Sequence, residues 1–151
     1  MGDLALAIAH HLLVFGLAAV IAFEIATIRV EVTAGDIARI ARADMWYGLL
    51  AAAILIVGFS RAVYAARGWA YYSHNLLFWA KIVTFAAIGL LSIAPTVSIL
   101  RWRRTSRNSA GFVVQFAEVQ KVRRYLFAEA SLFPLLLVFA AGMARGYGML
   151  P

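Results

Sequence analysis

The sequence has no cysteine, only three prolines and little charge: of 151 residues, 14% are Asp, Glu, Lys or Arg, and seven of those are acidic. Without cysteine there is no disulfide framework, no thiolate metal site and no Cys nucleophile. Zinc-protease, Walker, dinucleotide-binding and EF-hand patterns are absent as well, as are internal repeats and low-complexity tracts. The shortage of charge comes with 64% hydrophobic residues. A soluble domain carries roughly 45–50% apolar and 25% charged residues, so the excess points to a lipid bilayer as the surroundings of the chain. The 14 Lys and Arg do not indicate a nucleic-acid partner, because most of them cluster in two short stretches between long apolar runs. That pattern reports membrane topology.

Spanning a hydrocarbon core of about 30 Å takes about 20 apolar residues at 1.5 Å each. Four windows reach that length, at about residues 4–28, 45–66, 75–100 and 125–143. The first begins without a basic residue, is too long for a signal peptide and carries histidines, so it is read as a retained span. The expected fold is all-α: one transmembrane domain over residues 1–151, an antiparallel four-helix bundle with a basic loop at about 101–124. The segment GFVVQFAEVQKVRRYLFAEA has helical apolar spacing, which starts the fourth helix before it enters lipid.

Orientation follows from basic residues outside the spans. Arg29, Arg39 and Arg42 in the first loop and Arg101, Arg103, Arg104, Arg107, Lys121, Arg123 and Arg124 in the third face only Arg67 in the second. Ten against one places loops one and three in the cytoplasm and both termini in the periplasm of a bacterial inner membrane. Trp46, Tyr47, Trp69, Tyr71, Tyr72, Trp102 and Tyr125 fall near span ends, where interfacial aromatic anchors sit.

Ionisable residues inside spans cost roughly 2.5–3.5 kcal/mol each near the bilayer centre and mark function or pairing. In the outer half lie His10 and His11 on the first span, Arg61 at the end of the second, His74 and Lys81 on the third, and Arg145 closing the fourth. Asp3 is the only carboxylate near them in sequence. Cations without enough anions must shed charge, reach the headgroups or hold an anionic ligand. Lys81, about seven residues from its interface, is too deep to snorkel, which favours an inward role. His74 and Lys81, seven apart, share a helical face, and Ser92 lies eleven further on. Fourteen residues bring Glu24 to within about 40° of the His10 face.

Each candidate also has a plain structural role. His10 and His11 serve equally as neutral hydrogen-bonding glue between helices, as a metal or haem ligand, or as a proton carrier. Adjacent histidines lack the i, i+4 spacing that chelates one metal, so both cannot serve a single site. Glu24 and Glu129 form a candidate proton or polar network, and pairing with nearby arginines is the simpler expectation for them. Pro95 and Pro134 are expected to kink the third and fourth helices and free carbonyls for Ser92, Ser131 or water.

The runs AHHLLVFGLAAVIAFE, LFWAKIVTFAAIGLLSIAPTVSILRWRR and MARGYG closely resemble a bacterial family of predicted inner-membrane proteins, domain of unknown function 2214, over nearly the whole chain. A more distant resemblance is to HemJ-type and CopD-type membrane bundles, through a histidine in the first span and Lys81 in FWAKIVTF. The HemJ-type resemblance implies a haem b or other porphyrin between the helices, its carboxylates near Arg61 and Lys81. His10 or His11 would ligate the iron, with His74, Lys81 or Met143 as the second ligand. Here the doubled histidine and the unaligned second span depart from that pattern. Two other expectations stand beside a haem- or porphyrin-binding oxidoreductase: an accessory subunit of a larger membrane complex, and a small proton-linked carrier working as a homo-oligomer.

Overall fold

The computed structural model describes residues 2–29, 32–64, 68–109 and 111–150, with backbone alone at residues 2 and 3. Arg67 and the side chain of Asp3 lie outside the described residues, as do residues 65 and 66 of the second expected span. The elements are α1 (Gly2–Thr27), α2 (Ala34–Tyr64), a short α3 (Gly68–Ser73), α4 (Leu76–Asn108) and α5 (Phe116–Ala144). Four of them are long and apolar enough to cross a membrane, and among the described residues no strand forms. The all-α membrane bundle expected from the apolar runs is the fold observed.

The long helices form a square. α1 packs against α2 and α5, α4 packs against the same two, and the diagonal pairs α1/α4 and α2/α5 make no close backbone approach. The helices outgrow the bilayer. The 33 residues of α4 extend about 50 Å, and a hydrocarbon core is about 30 Å thick. The excess lies at the arginine-rich end, where sequence reading placed loops. Apolar positions there repeat at three and four residues, Ile37, Ile40 and Ala41 on α2 and Val119, Val122 and Leu126 on α5, and helical turns carry their arginines outward. With Ile28, Val32, Ile99, Trp102 and Val114 they make one hydrophobic core. A second core, Leu17, Ile21, Tyr47 and Ile54 with Phe85 and Phe133 packed on it, fills the middle of the bundle.

Local chemistry sets the ends. Thr33 and Asp36 cap α2 reciprocally: the Thr33 hydroxyl and N–H donate to Asp36 Oδ2 at 2.7 and 3.1 Å, and the Asp36 N–H returns a bond to Thr33 Oγ1 at 3.2 Å. The Thr33 hydroxyl, then its N–H, holds the Asp36 carboxyl below its usual range. Asn75, fully buried, caps α4 by accepting from Leu77 N and Phe78 N at 2.9 and 3.2 Å. Its amide donates to Tyr147 O at 2.9 Å. Leu76 N donates to Gly148 O at 2.7 Å and Leu150 N to His74 O at 2.9 Å. The MARGYG run is therefore a strap that ties the end of α5 to the start of α4.

Gly148 has φ +84, and a Cβ there would stand 2.7 Å from Leu77 Cγ. Gly148→Ala is expected to cost roughly 1–3 kcal/mol through backbone strain and overlap together. A lowered midpoint of thermal unfolding in detergent, absent from the neighbouring Tyr147→Ala, is the check.

The helices continue through Pro95 and Pro134. Each proline leaves the carbonyl four residues earlier, on Leu91 and Ala130, without its helical N–H. Contrary to expectation, the nearby serines do not take up these carbonyls: Ser92 Oγ donates to Gly89 O at 2.8 Å and Ser131 Oγ to Ala128 O at 2.7 Å. A helical serine hydroxyl reaches the carbonyl three or four residues back, and Leu91 and Ala130 each stand only one residue before the serine.

Candidate functional site: a cation-lined cavity and a carboxylate layer

At the end of the bundle away from the arginine-rich loops, the four long helices part around a cavity of about 450 Å³. His10 and His11 come to its wall from α1, Arg61 from α2, Lys81 from α4 and Met143 from α5. Phe15, Phe59, Phe78, Phe85 and Phe133 supply much of the remaining surface. The helical phase that set His10 and Lys81 inward also brings their layer level on different helices.

The two histidines differ. His10 is half-buried, and a Cβ added at Gly58 of α2 would lie 3.2 Å from its Cε1. The missing side chain at Gly58 is what lets the imidazole lie against α2, and its Nδ1 is buried with no hydrogen-bond partner. His11 is exposed, its Nδ1 2.6 Å from Ala7 O on its own helix. His10 is thus the member of the pair that faces the interior.

Arg61 Nε is buried without a partner, and Lys81 Nζ stands 5.5 Å from the centre of the Phe78 ring, within cation–π range. Among the described residues the ion pairs are Arg39 with Asp36 and Arg101 with Glu118, both at the opposite end of the molecule. Among the described residues no carboxylate pairs with the cations of the cavity.

His74 does not join them. It is exposed and precedes the Asn75 cap, and its Nδ1 lies 2.9 Å from Ala70 O. A shared helical face with Lys81 requires a continuous helix between them, and α4 begins only at Leu76. Arg145 is exposed as well. In their place α3, which no apolar periodicity announced, contributes Tyr71 and Tyr72 to the wall, with the Tyr71 hydroxyl donating to Met143 O at 3.0 Å. Both tyrosines read as interfacial anchors in sequence.

A second polar group lies deeper. Glu24, Asp44 and Glu129 are 2%, 8% and 0% exposed. Tyr47 donates to Glu129 Oε2 at 3.0 Å across the α2/α5 diagonal, and Thr96 donates to Asp44 Oδ1 at 2.6 Å. Glu24 and Glu129 do not pair with arginines as the sequence suggested. The arginines have nearer acceptors: Arg123 bonds the carbonyls of Ile25 and Ile28 at the end of α1, and Arg101 takes Glu118. Asp44 was not singled out in sequence, because it falls just before the second apolar window and reads as loop.

The spacing from cavity to carboxylates agrees on all four helices. His10 to Glu24, Arg61 to Asp44, Lys81 to Thr96 and Met143 to Glu129 are 14 to 17 residues apart, or about 21–26 Å along the axis. The bundle is therefore layered: apolar core, carboxylates, second apolar core, cavity. Leu17, Ile54, Phe85 and Phe133 belong to both the second core and the cavity lining, so they form the floor between the two polar layers.

Among the described residues no group of three His, Asp or Glu is placed to hold a metal ion.

No curated protein and no solved structure matches the chain. The family model described as a predicted membrane protein, domain of unknown function 2214, matches residues 2–148. The chain belongs to that family of integral membrane proteins.

Proposed function

We propose that the cavity binds a carboxylate-bearing tetrapyrrole, haem b or a free porphyrin, in a bacterial inner membrane with the arginine-rich loops in the cytoplasm and both termini in the periplasm. One observation carries the reading: His10, Arg61 and Lys81, from three helices, converge on one aromatic-walled cavity, and no carboxylate of the described residues pairs with them. Cofactor pockets run to roughly 300–1,000 Å³, mostly apolar with a few convergent polar groups, and this cavity falls in that range.

The residues divide the work by chemistry. Arg61 and Lys81 hold the carboxylates, since a charged hydrogen bond in a sheltered site is shorter and stronger than a neutral one. Lys81 cannot ligate iron while it carries a proton, so His10 would hold the iron of a bound haem, with Met143 on α5 as a further candidate. The phenylalanines exclude water and stack on the macrocycle faces. When bound, a haem supplies one-electron chemistry whose potential is set by these ligands and by burial.

The test is an optical spectrum of protein purified after haem-replete expression. A Soret band with near-stoichiometric haem supports the reading, and a colourless protein under the same conditions opposes it. Orientation has its own test, aided by the absence of cysteine. Ser109→Cys is expected to react with an impermeant maleimide only from the cytoplasmic side, and Ala70→Cys only from the periplasmic side. The reverse labelling would invert the proposed topology.

A further inference from the structure

The carboxylate layer is independent of the cavity, and nothing in the tetrapyrrole reading uses it. We propose that Glu24, Asp44 and Glu129, closed by Tyr47, form a proton-binding site in which Glu24 and Glu129 share an exchangeable proton.

The geometry asks for a ligand. Glu24 is 2% exposed and its Oε1 has no hydrogen-bond partner; Glu129 is fully buried and its Oε1 has none either. Ile25 and Ala130, next in sequence to the two carboxyls, both pack on the core that contains Tyr47, and Tyr47 bonds Glu129, so Glu24 of α1 and Glu129 of α5 reach the same level of the bundle. Two members already have a hydroxyl donor: Tyr47 serves Glu129 and Thr96 serves Asp44. Among the described residues no N–H or O–H donates to Glu24 Oε1.

The polar groups of this layer are Glu24 from α1, Asp44 and Tyr47 from α2, Glu129 from α5, and from α4 Thr96, which bonds Asp44, and Ser92, which bonds Tyr47. Arg123 of α5, which reaches the end of α1, is engaged with the Ile25 and Ile28 carbonyls. Carboxylates buried at one level between two apolar cores lose their hydration and repel one another, which opposes ionising all of them together. A proton shared by Glu24 and Glu129 removes one charge and gives the pair the donor that their unpartnered oxygens lack. A metal ion is the poorer fit, since no three carboxylates or histidines are placed around a common point among the described residues. The proton comes from and returns to bulk water, with no other bond made or broken.

The experiment is infrared difference spectroscopy of the full chain in neutral phospholipid vesicles, stepped in pH, in H2O and in D2O. The wild type is expected to show a pH-dependent carboxylic C=O band that shifts on deuteration. Glu24→Gln should remove about one carboxyl's share of its intensity with helicity unchanged by circular dichroism. Tyr47→Phe, which takes away only a donor, should shift the band's frequency and keep its intensity.

The proposal is overturned if the wild-type band is absent, if Glu24→Gln leaves it unaltered, or if calorimetry finds stoichiometric sodium or calcium binding that Glu24→Gln abolishes. Should Glu24→Gln fail to fold, Glu129→Gln reads the same loss, and the wild-type band decides alone. Because the measurement is made on haem-free protein, its outcome is separate from that of the cavity reading.

Discussion

His10→Ala protein, expressed with ample haem, is expected to lose the spectrum of an imidazole-ligated iron while remaining folded. The ring it removes is half-buried against Gly58 and its Nδ1 has no hydrogen-bond partner, so little structure depends on it. The neighbouring His11→Ala should leave the spectrum in place, since its ring is exposed and already in contact with Ala7 O. Arg61→Gln and Lys81→Met are expected to act differently, weakening binding and keeping the ligation. A hydrogen bond to a charged group contributes about 1.5–3 kcal/mol, so each substitution should raise the dissociation constant roughly 10- to 150-fold. Equal loss from all four variants would point to general unfolding, and circular dichroism separates that case.

The second large effect is on stability. Trp102 is the largest of the fully buried side chains, lies in the core at the arginine-rich end and donates from its indole Nε1 to Glu118 Oε2 at 2.7 Å. Trp102→Ala opens a cavity in that core and leaves a carboxylate oxygen without its donor. The expected cost is about 3–5 kcal/mol. Trp46→Ala, on an exposed site of α2, should change the unfolding midpoint little. Similar losses at both positions would contradict the packing described.

The bundle was legible because lipid imposes one period on every span: apolar length gave the four helices, and a fourteen-residue separation put Glu24 near the His10 face. Phase arguments work only inside a continuous helix. Lys81 obeyed and His74 did not, because the Asn75 cap separates them. The buried carboxylate of Asp44 escaped notice for a related reason. Apolar windows mark where lipid begins, and α2 starts eleven residues earlier, at Ala34, so a residue read as loop is packed inside. Arginine pairing failed as a guide because proximity in sequence ignores competitors. The free carbonyls at the end of α1 draw Arg123, and Glu118 draws Arg101. Short α3 carries too few residues for any periodicity, which left the wall role of Tyr71 and Tyr72 invisible.

The most direct measurement is a titration of haem b into haem-free wild-type protein and into the Arg61→Gln/Lys81→Met double variant, followed by the Soret band. The cavity reading predicts a saturable one-to-one shift in the wild type and a dissociation constant at least 100-fold higher in the double variant. Identical curves for the two proteins, or no shift in the wild type, would contradict it.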